Sequence, residues 1–216
     1  MMVIDLLETS DRALATSSWE AVCAFLSTQP GFRGGQLVET FQTLMPRTDW
    51  KLASLCAWDS AEDWERARAA VRSQPDLVSR LNAAGTRFTG FKMNLVDGAE
   101  YRFAPSSDRM VLLDIIYLPE ERMAAYAAMW AEAARHMAQQ PGYLNASLFQ
   151  NTHLADSIQF INIAEWESAE ALFHAVHTDR FMEIVDAFKT DFSLFLTRRI
   201  LLRTPAPVRA LEAATR

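Results

Sequence analysis

An α+β fold built from two copies of one βαββαβ unit is what this 216-residue sequence predicts, and three observations carry that reading. The tripeptide QPG at residues 29–31 recurs at residues 140–142, 111 positions on, and WDSAE at Trp58 recurs as WESAE at Trp166, 108 positions on. Offsets that agree to within a loop's length mark a duplication, and the unit is too long for a solenoid repeat. Around these motifs, stretches with an apolar period of two and stretches with helical spacing follow one another in the same order in both halves. Each half reads as a split βαβ, or ferredoxin-like, unit whose two helices cover one face of its sheet.

In the first unit, residues 2–7 are a short apolar strand, and Ser17 or Ser18 is placed to cap the helix SWEAVCAFLST, which ends before Pro30-Gly31. Residues 33–41 resume as a strand, 45–49 form a loop, and 50–58 are a third strand with apolar residues on both faces. Ser60 opens a helix that stops before Pro75, a second helical piece covers 77–82, and 86–96 is the fourth strand. The segment 97–109, DGAEYRFAPSSDR, turns to Gly, Pro, Ser and charge and separates the units.

The second unit repeats the order. Residues 110–117 are a strand, Pro119 takes the first helical position, and the Ala-rich helix that follows ends at Pro141-Gly142. Residues 143–149 are a strand, 151–156 a loop, 157–166 a strand, Ser168 opens a helix, and 193–202 are the last strand. The organisation is a first repeat at 1–96, a linker at 97–109, a second repeat at 110–202 and a Pro/Ala-rich tail at 203–216.

Because the strands are apolar on both faces, the sheet of each repeat needs cover on the side its helices leave bare, and the sheet of the other repeat supplies it. The expected result is an intramolecular dimeric α+β barrel. A monomer of this kind is self-sufficient as a pseudo-dimer, while exposed edges and the tail leave a homodimer open.

Composition narrows the function. Half of the residues are hydrophobic, the net charge is −6, and no Lys/Arg cluster exceeds Arg198-Arg199, so neither nucleic acid nor an anionic membrane is an expected partner. No apolar run approaches the ~18 residues of a span, and the N-terminus lacks a basic n-region, so a cytoplasmic location is expected. Cys23 and Cys56 lie in apolar settings without CxxC spacing and read as buried free thiols.

The stretch 159–176, QFINIAEWESAEALFHAV, concentrates the polar groups. Phe160, Asn162, Ala164 and Trp166 share one strand face, which sets an amide and an indole N–H four residues apart on one side. An Asn among Phe, Ile and Ala is costly to bury unpaired and calls for a partner or a ligand. His174 and His177 follow at i and i+3 on the next helix, where imidazole can serve as base or ligand; the plainer reading of His174 is a solvated helix histidine. An HxxH pair without an acid at metal spacing is weak ground for zinc, and no metal is expected. Tyr126 and Trp130 belong to a helical stripe that reads first as core, although such a stripe over a sheet can also line a pocket. Tyr143 and Asn145 share a face of the neighbouring strand and are expected at the same cavity; His153, in the loop NTHLADS, can reach over a cavity mouth.

A βαββαβ unit with P-G-[FY] after its first helix and a third strand ending W-[DE]-S-x-E resembles the antibiotic biosynthesis monooxygenase family, whose fold is the dimeric α+β barrel; here the resemblance covers nearly the whole chain, twice. Within that family the sequence is similar to anthrone oxidases of aromatic polyketide pathways and to tandem ring-opening oxygenases of angucycline pathways. The resemblance implies an oxygenase acting on an aromatic polycyclic substrate with O2 through a substrate enolate or carbanion, forming a quinone or cleaving a C–C bond. An Asn and a Trp four apart on the third strand match as Asn162 and Trp166, and His177 falls at a recurrent family position. The helix Tyr of the anthrone-oxidase branch falls at Leu172, beside Phe173, so the phenol is missing. In the first repeat the equivalents are Ser54, Trp58 and Trp64; the Asn is lost, and this repeat is expected to serve mainly as the partner that closes the barrel.

On this resemblance the expected cofactor requirement is none, with reduced flavin as the alternative and haem below it. Asn162, Trp166 and His177 are the expected catalytic residues; Tyr126, Trp130, Tyr143, Asn145, His153, Phe173 and His174 are expected to bind substrate. The alternatives are a haem-degrading monooxygenase, to which Trp166 and His177 also answer, and a non-catalytic small-molecule-binding partner of a biosynthetic complex.

Overall fold

A computed structural model of the chain describes residues 1–45, 47–83, 85–103 and 109–206. Pro46 in the first hairpin loop, residues 104–108 of the expected linker and the tail beyond 206 lie outside the described residues. The first repeat runs β1 Met2–Glu8, α1 Arg12–Leu26, β2 Phe32–Leu44, β3 Leu52–Trp58, α2 Ala61–Arg72, α3 Pro75–Ala83 and β4 Arg87–Gly98. The second runs β5 Met110–Ile116, α4 Glu120–Met137, β6 Tyr143–Asn151, β7 Phe160–Trp166, α5 Ala169–Val176, α6 Asp179–Val185 and β8 Phe192–Arg203, with one 3-10 turn at Asp186–Phe188.

Ser60 and Ser168 cap α2 and α5 as expected, each side chain accepting from the backbone N–H three residues on. Helix α1 starts earlier than expected, because Asp11 Oδ1 accepts from Leu14 N and makes the cap. Ser18 lies inside the helix and donates to the Arg80 carbonyl of α3 instead. Pro119 precedes α4 as its extended cap residue rather than opening the helix, and Thr178 breaks the last helical stretch by capping α6.

The eight strands form one closed antiparallel barrel in the order β1-β3-β2-β8-β5-β7-β6-β4. The halves join along two seams, β2 to β8 and β4 to β6, so that each of the eight described strands is paired on both sides. At the first seam Arg198 faces Glu39 and donates to its Oε2 at 3.0 Å, while Arg12 reaches Oε1 of the same carboxylate at 2.6 Å.

Alternation sorts each strand between two environments. Met2, Ile4 and Leu6 of β1 and Val111, Leu113 and Ile115 of β5 point into the barrel, where they meet Leu55, Ile161 and Ile163 in an apolar core. Residues of opposite parity point outward beneath the helices: Val3 and Leu7 under α1 and α2, Leu112 and Ile116 under α4 and α5. The chain thus has three apolar layers, and both outer ones lie between a half-barrel and its own helices.

Candidate functional site

The outer layer of the second repeat is incompletely filled. A cavity of about 640 Å³ lies between the β5–β7–β6 surface and helices α4 to α6. Its walls are apolar: Leu112, Met129, Ala133, Ala146, Ala164 and Phe192 are among them. Beside Tyr143 of β6, three side chains with polar groups interrupt this lining on the strand side, Asp114 of β5 and Asn162 and Trp166 of β7. Asp114 pairs with Asn162 across the β5–β7 ladder, and Trp166 lies four residues along the same face. The Asp114 Oδ1, Asn162 Oδ1 and Trp166 Nε1 atoms are all buried and have no hydrogen-bond partner within the protein. Burial alone pushes the Asp114 carboxyl up to about 8.

Aromatic packing holds the surroundings in place. Tyr126 stacks on Phe160 at 5.3 Å and meets the edge of Phe188 at 5.4 Å. Burial, and then the Asp114 carboxylate, raise the Tyr126 phenol well above its ordinary value, so it stays protonated. Trp166 meets Tyr143 edge to face at 5.4 Å, fixing the indole whose N–H lacks a partner.

The first repeat completes the cavity mouth. Its β2–β3 hairpin carries Leu44 and Met45 to the rim, where the Met45 carbonyl accepts from Ser193 Oγ at 2.9 Å. Arg47, just beyond, donates to the Thr190 carbonyl at 2.6 Å and lies 4.5 Å over the Tyr117 ring. The site therefore depends on both halves of the barrel, although its polar residues come from one.

The structure brings together Asn162, Trp166, Tyr126, Trp130, Tyr143, Phe173 and His177 around this cavity. Asn145 is not there. A bulge at Leu144 pairs Tyr143 with Trp166 but Asn145 with Glu165, so Asn145 turns to the barrel side and donates to Glu165 Oε2. His174 is exposed beside Glu170, on a separate surface hollow. His153 stands over a cavity as expected, but that cavity belongs to the first repeat, because the β6–β7 hairpin crosses to the other half. His177 sits exposed at the mouth with Nδ1 2.6 Å from the Phe173 carbonyl, away from the buried polar floor. Asp114 was not among the expected site residues; its signal was an acid inside the apolar run MVLLDIIY, the counterpart of Asp5 in MVIDLLE, which faces Ser54 as Asp114 faces Asn162.

Comparison with known proteins bears on the half that holds the cavity. Residues 112–187 match the antibiotic biosynthesis monooxygenase family. That match begins in β5 and ends after α6, and so takes in Asp114, Asn162, Trp166 and His177. No curated protein matches the chain. Among solved structures, an anthrone oxidase-like protein is 12% identical over 94% of this chain and 92% of its own, with a TM-score of 0.73. A monooxygenase candidate from Fusobacterium nucleatum is 8% identical over 94% and 93%, TM-score 0.66. Another from Lactobacillus acidophilus is 10% identical over 94% and 96%, TM-score 0.59. At these identities the likeness is one of fold: two α+β units closed into one eight-stranded barrel. Among the described residues no helix is long and apolar enough to cross a membrane, and no cluster of three or more His, Cys, Asp or Glu could hold a metal ion.

Proposed function

We propose that this protein is an oxygenase that takes a flat phenolic polycycle into its C-terminal cavity and oxidises it with O2 through a substrate enolate. The observation that carries this reading is the set of three buried polar atoms without protein partners, two acceptors and one donor, in an otherwise apolar cavity of about 640 Å³. Leaving such atoms unpaired costs about 1–3 kcal/mol each, so a ligand bearing hydroxyl hydrogens and a carbonyl on an aromatic body recovers what the empty site gives up. The family match and the fold shared with an anthrone oxidase-like protein support the same chemistry.

In this mechanism the ionised Asp114 carboxylate takes a proton from the acidic ring carbon, a role that its apolar setting suits by keeping its proton affinity high. The Asn162 amide and the Trp166 N–H stabilise the enolate oxygen that results. The enolate passes one electron to O2, the radical pair recombines to a carbon-bound hydroperoxide, and loss of water leaves a quinone carbonyl. One O2 is consumed and one water released per ring methylene oxidised, with both electron pairs drawn from the substrate. His177, at the mouth, meets the substrate on entry and takes no proton from the reacting carbon.

Haem and flavin fit this cavity less well. Each brings anionic propionate or phosphate groups, and among the described lining residues Lys189, already paired with Asp186 at 2.8 Å, is the one Lys or Arg. Oxygen uptake with 1,8-dihydroxyanthrone under air, followed by absorption spectroscopy, tests the reading. Uptake with quinone formation in the absence of any additive supports it. A stoichiometric Soret shift with haemin, or turnover only with reduced flavin, would replace it.

A further inference from the structure

The first repeat has its own cavity, of about 660 Å³, between its sheet and helices α1 to α3. Asp5 pairs with Ser54 across β1–β3 as Asp114 pairs with Asn162 across β5–β7, so the two cavities share one plan. Their chemistry differs. On the outer strand the residue beside Asp5 is Gly90, and the residue beside Asp114 is Leu194. A Cβ at Gly90 would lie 2.6 Å from Asp5 Oδ1, so only glycine leaves the carboxyl this room. Two residues along the same strands, Lys92 stands where the second repeat has Leu196. The 108-residue offset that aligns Trp58 with Trp166 sets Glu65 and Arg68 against Phe173 and Val176.

Two apolar wall positions of the C-terminal cavity, Phe173 and Val176, are therefore charged in the N-terminal one, and so is a third position that the second repeat buries as Leu196. Lys92 and Arg68 share Glu65, at 3.0 and 3.3 Å, and Arg72 follows one turn later on the same wall. Against these three cations the rim holds Glu65 and Asp156, the latter already accepting from Asn151 Nδ2 at 2.9 Å. The floor is polar as well: Trp19 Nε1 donates to Ser54 Oγ at 2.9 Å, and Cys56 Sγ lies 3.6 Å from the same hydroxyl.

We propose that the N-terminal cavity is a second binding site, specific for a hydroxylated aromatic acid. The ring system lies against Trp19 and Trp64, the acid group meets Arg68, Arg72 and Lys92 at the mouth, and the hydroxyl donates to Asp5 at the floor. The orientation is fixed by charge, since an anion pushed to the floor would meet the Asp5 carboxylate. Burial raises Asp5 only to about 6, because Arg68 and Ser54 act against it, so the floor is an ionised acceptor at neutral pH where Asp114 still holds its proton. The inference needs no oxygenation step and stands apart from the reading of the C-terminal cavity.

Fluorescence titration with 6-hydroxy-2-naphthoate, whose acid and hydroxyl lie at opposite ends of the ring system, tests it, with 2-naphthol and 2-naphthoate as the ligands lacking the acid and the hydroxyl. The expected result is saturable binding, weakened about tenfold by Arg68→Met, by added salt, or by removal of the carboxylate from the ligand. Asp5→Asn should bring 6-hydroxy-2-naphthoate down to the affinity of 2-naphthoate. Ala164→Phe, which fills the other cavity, should leave the titration as it was. Arg68 is exposed, so circular dichroism of Arg68→Met will match the parent and separate a lost contact from a lost fold. Absence of binding, indifference to Arg68→Met, or loss on Ala164→Phe overturns the proposal.

Discussion

Asp114 and Asn162 face each other across the β5–β7 ladder, and the Oδ1 atom of each is buried without a hydrogen-bond partner. Such a pair in an apolar cavity is expensive to keep and earns its place through a ligand or a proton. With burial holding the carboxyl at about 8, kcat/KM should rise with pH through that value as the base becomes ionised. Asp114→Asn should lower turnover by about 10²–10⁴-fold and flatten the limb, and stopped-flow measurement of quinone formation from pH 6 to about pH 9.5 reads both. A limb that persists in the variant would assign it to another group.

The same carboxyl makes a stability prediction of defined sign. Its ordinary value is 3.8 and its folded value about 8, so between them the unfolded chain releases a proton that the folded chain keeps. The contribution is fully present below the unfolded value, declines as pH rises toward about 8, and is gone above it. Asp114→Asn cannot ionise and should gain Tm over the parent as pH increases, the two melting curves separating in calorimetry. Asp5 titrates in the same sense but is common to both proteins, so it cancels from the difference.

Trp166→Phe separates packing from hydrogen bonding. The edge-to-face contact with Tyr143 survives in kind, whereas the unpartnered indole N–H is lost. Turnover should fall by about 10-fold or more with little change in KM, as for a donor that acts on the enolate and not on the bound substrate. Trp58→Phe in the first repeat should leave quinone formation at the parental rate. The reverse pattern would move the oxidising site to the first repeat.

Much of this architecture was legible because it is local and repeated. QPG and W-[DE]-S-x-E each mark a corner where a helix yields to a strand or a strand to a helix, and Ser60 and Ser168 cap their helices as such corners require. Asn162 and Trp166 share a face because a strand of seven residues has no room to lose register. What failed depended on contacts distant in sequence. The bulge that turns Asn145 into the barrel exists only in the pairing of β6 with β7, and His153 crosses to the other repeat because the barrel closes through its hairpin's neighbours. Asp114 was visible as an acid in an apolar strand, but its value came from Asn162 standing opposite, which two separate strand patterns do not announce. Equal cavities in the two repeats were hidden for a related reason: Ser54 in place of Asn162 looked like loss, while the compensating charges at Glu65, Arg68 and Lys92 sit on other elements.

Barrel closure at the β4–β6 seam should depend on Gly98. Its φ of +85° is a left-handed conformation that side chains disfavour, and an added Cβ would lie 2.4 Å from the Ala146 carbonyl oxygen and 2.9 Å from the Trp130 ring. That carbonyl already accepts from Ala99 N at 2.9 Å, so it cannot retreat without breaking the last bond of the seam. Gly98→Ala should cost about 1–3 kcal/mol or more, a fall in Tm of several degrees for a chain of this size. Gly85→Ala is the control, because its φ of +54° carries the conformational penalty with nothing within 4 Å of the new methyl. Thermal denaturation followed by circular dichroism should rank Gly98→Ala well below Gly85→Ala. Because Trp130 also walls the C-terminal cavity, the same variant should weaken substrate binding there, and equal melting of the two variants would show that the seam absorbs a methyl the geometry does not allow.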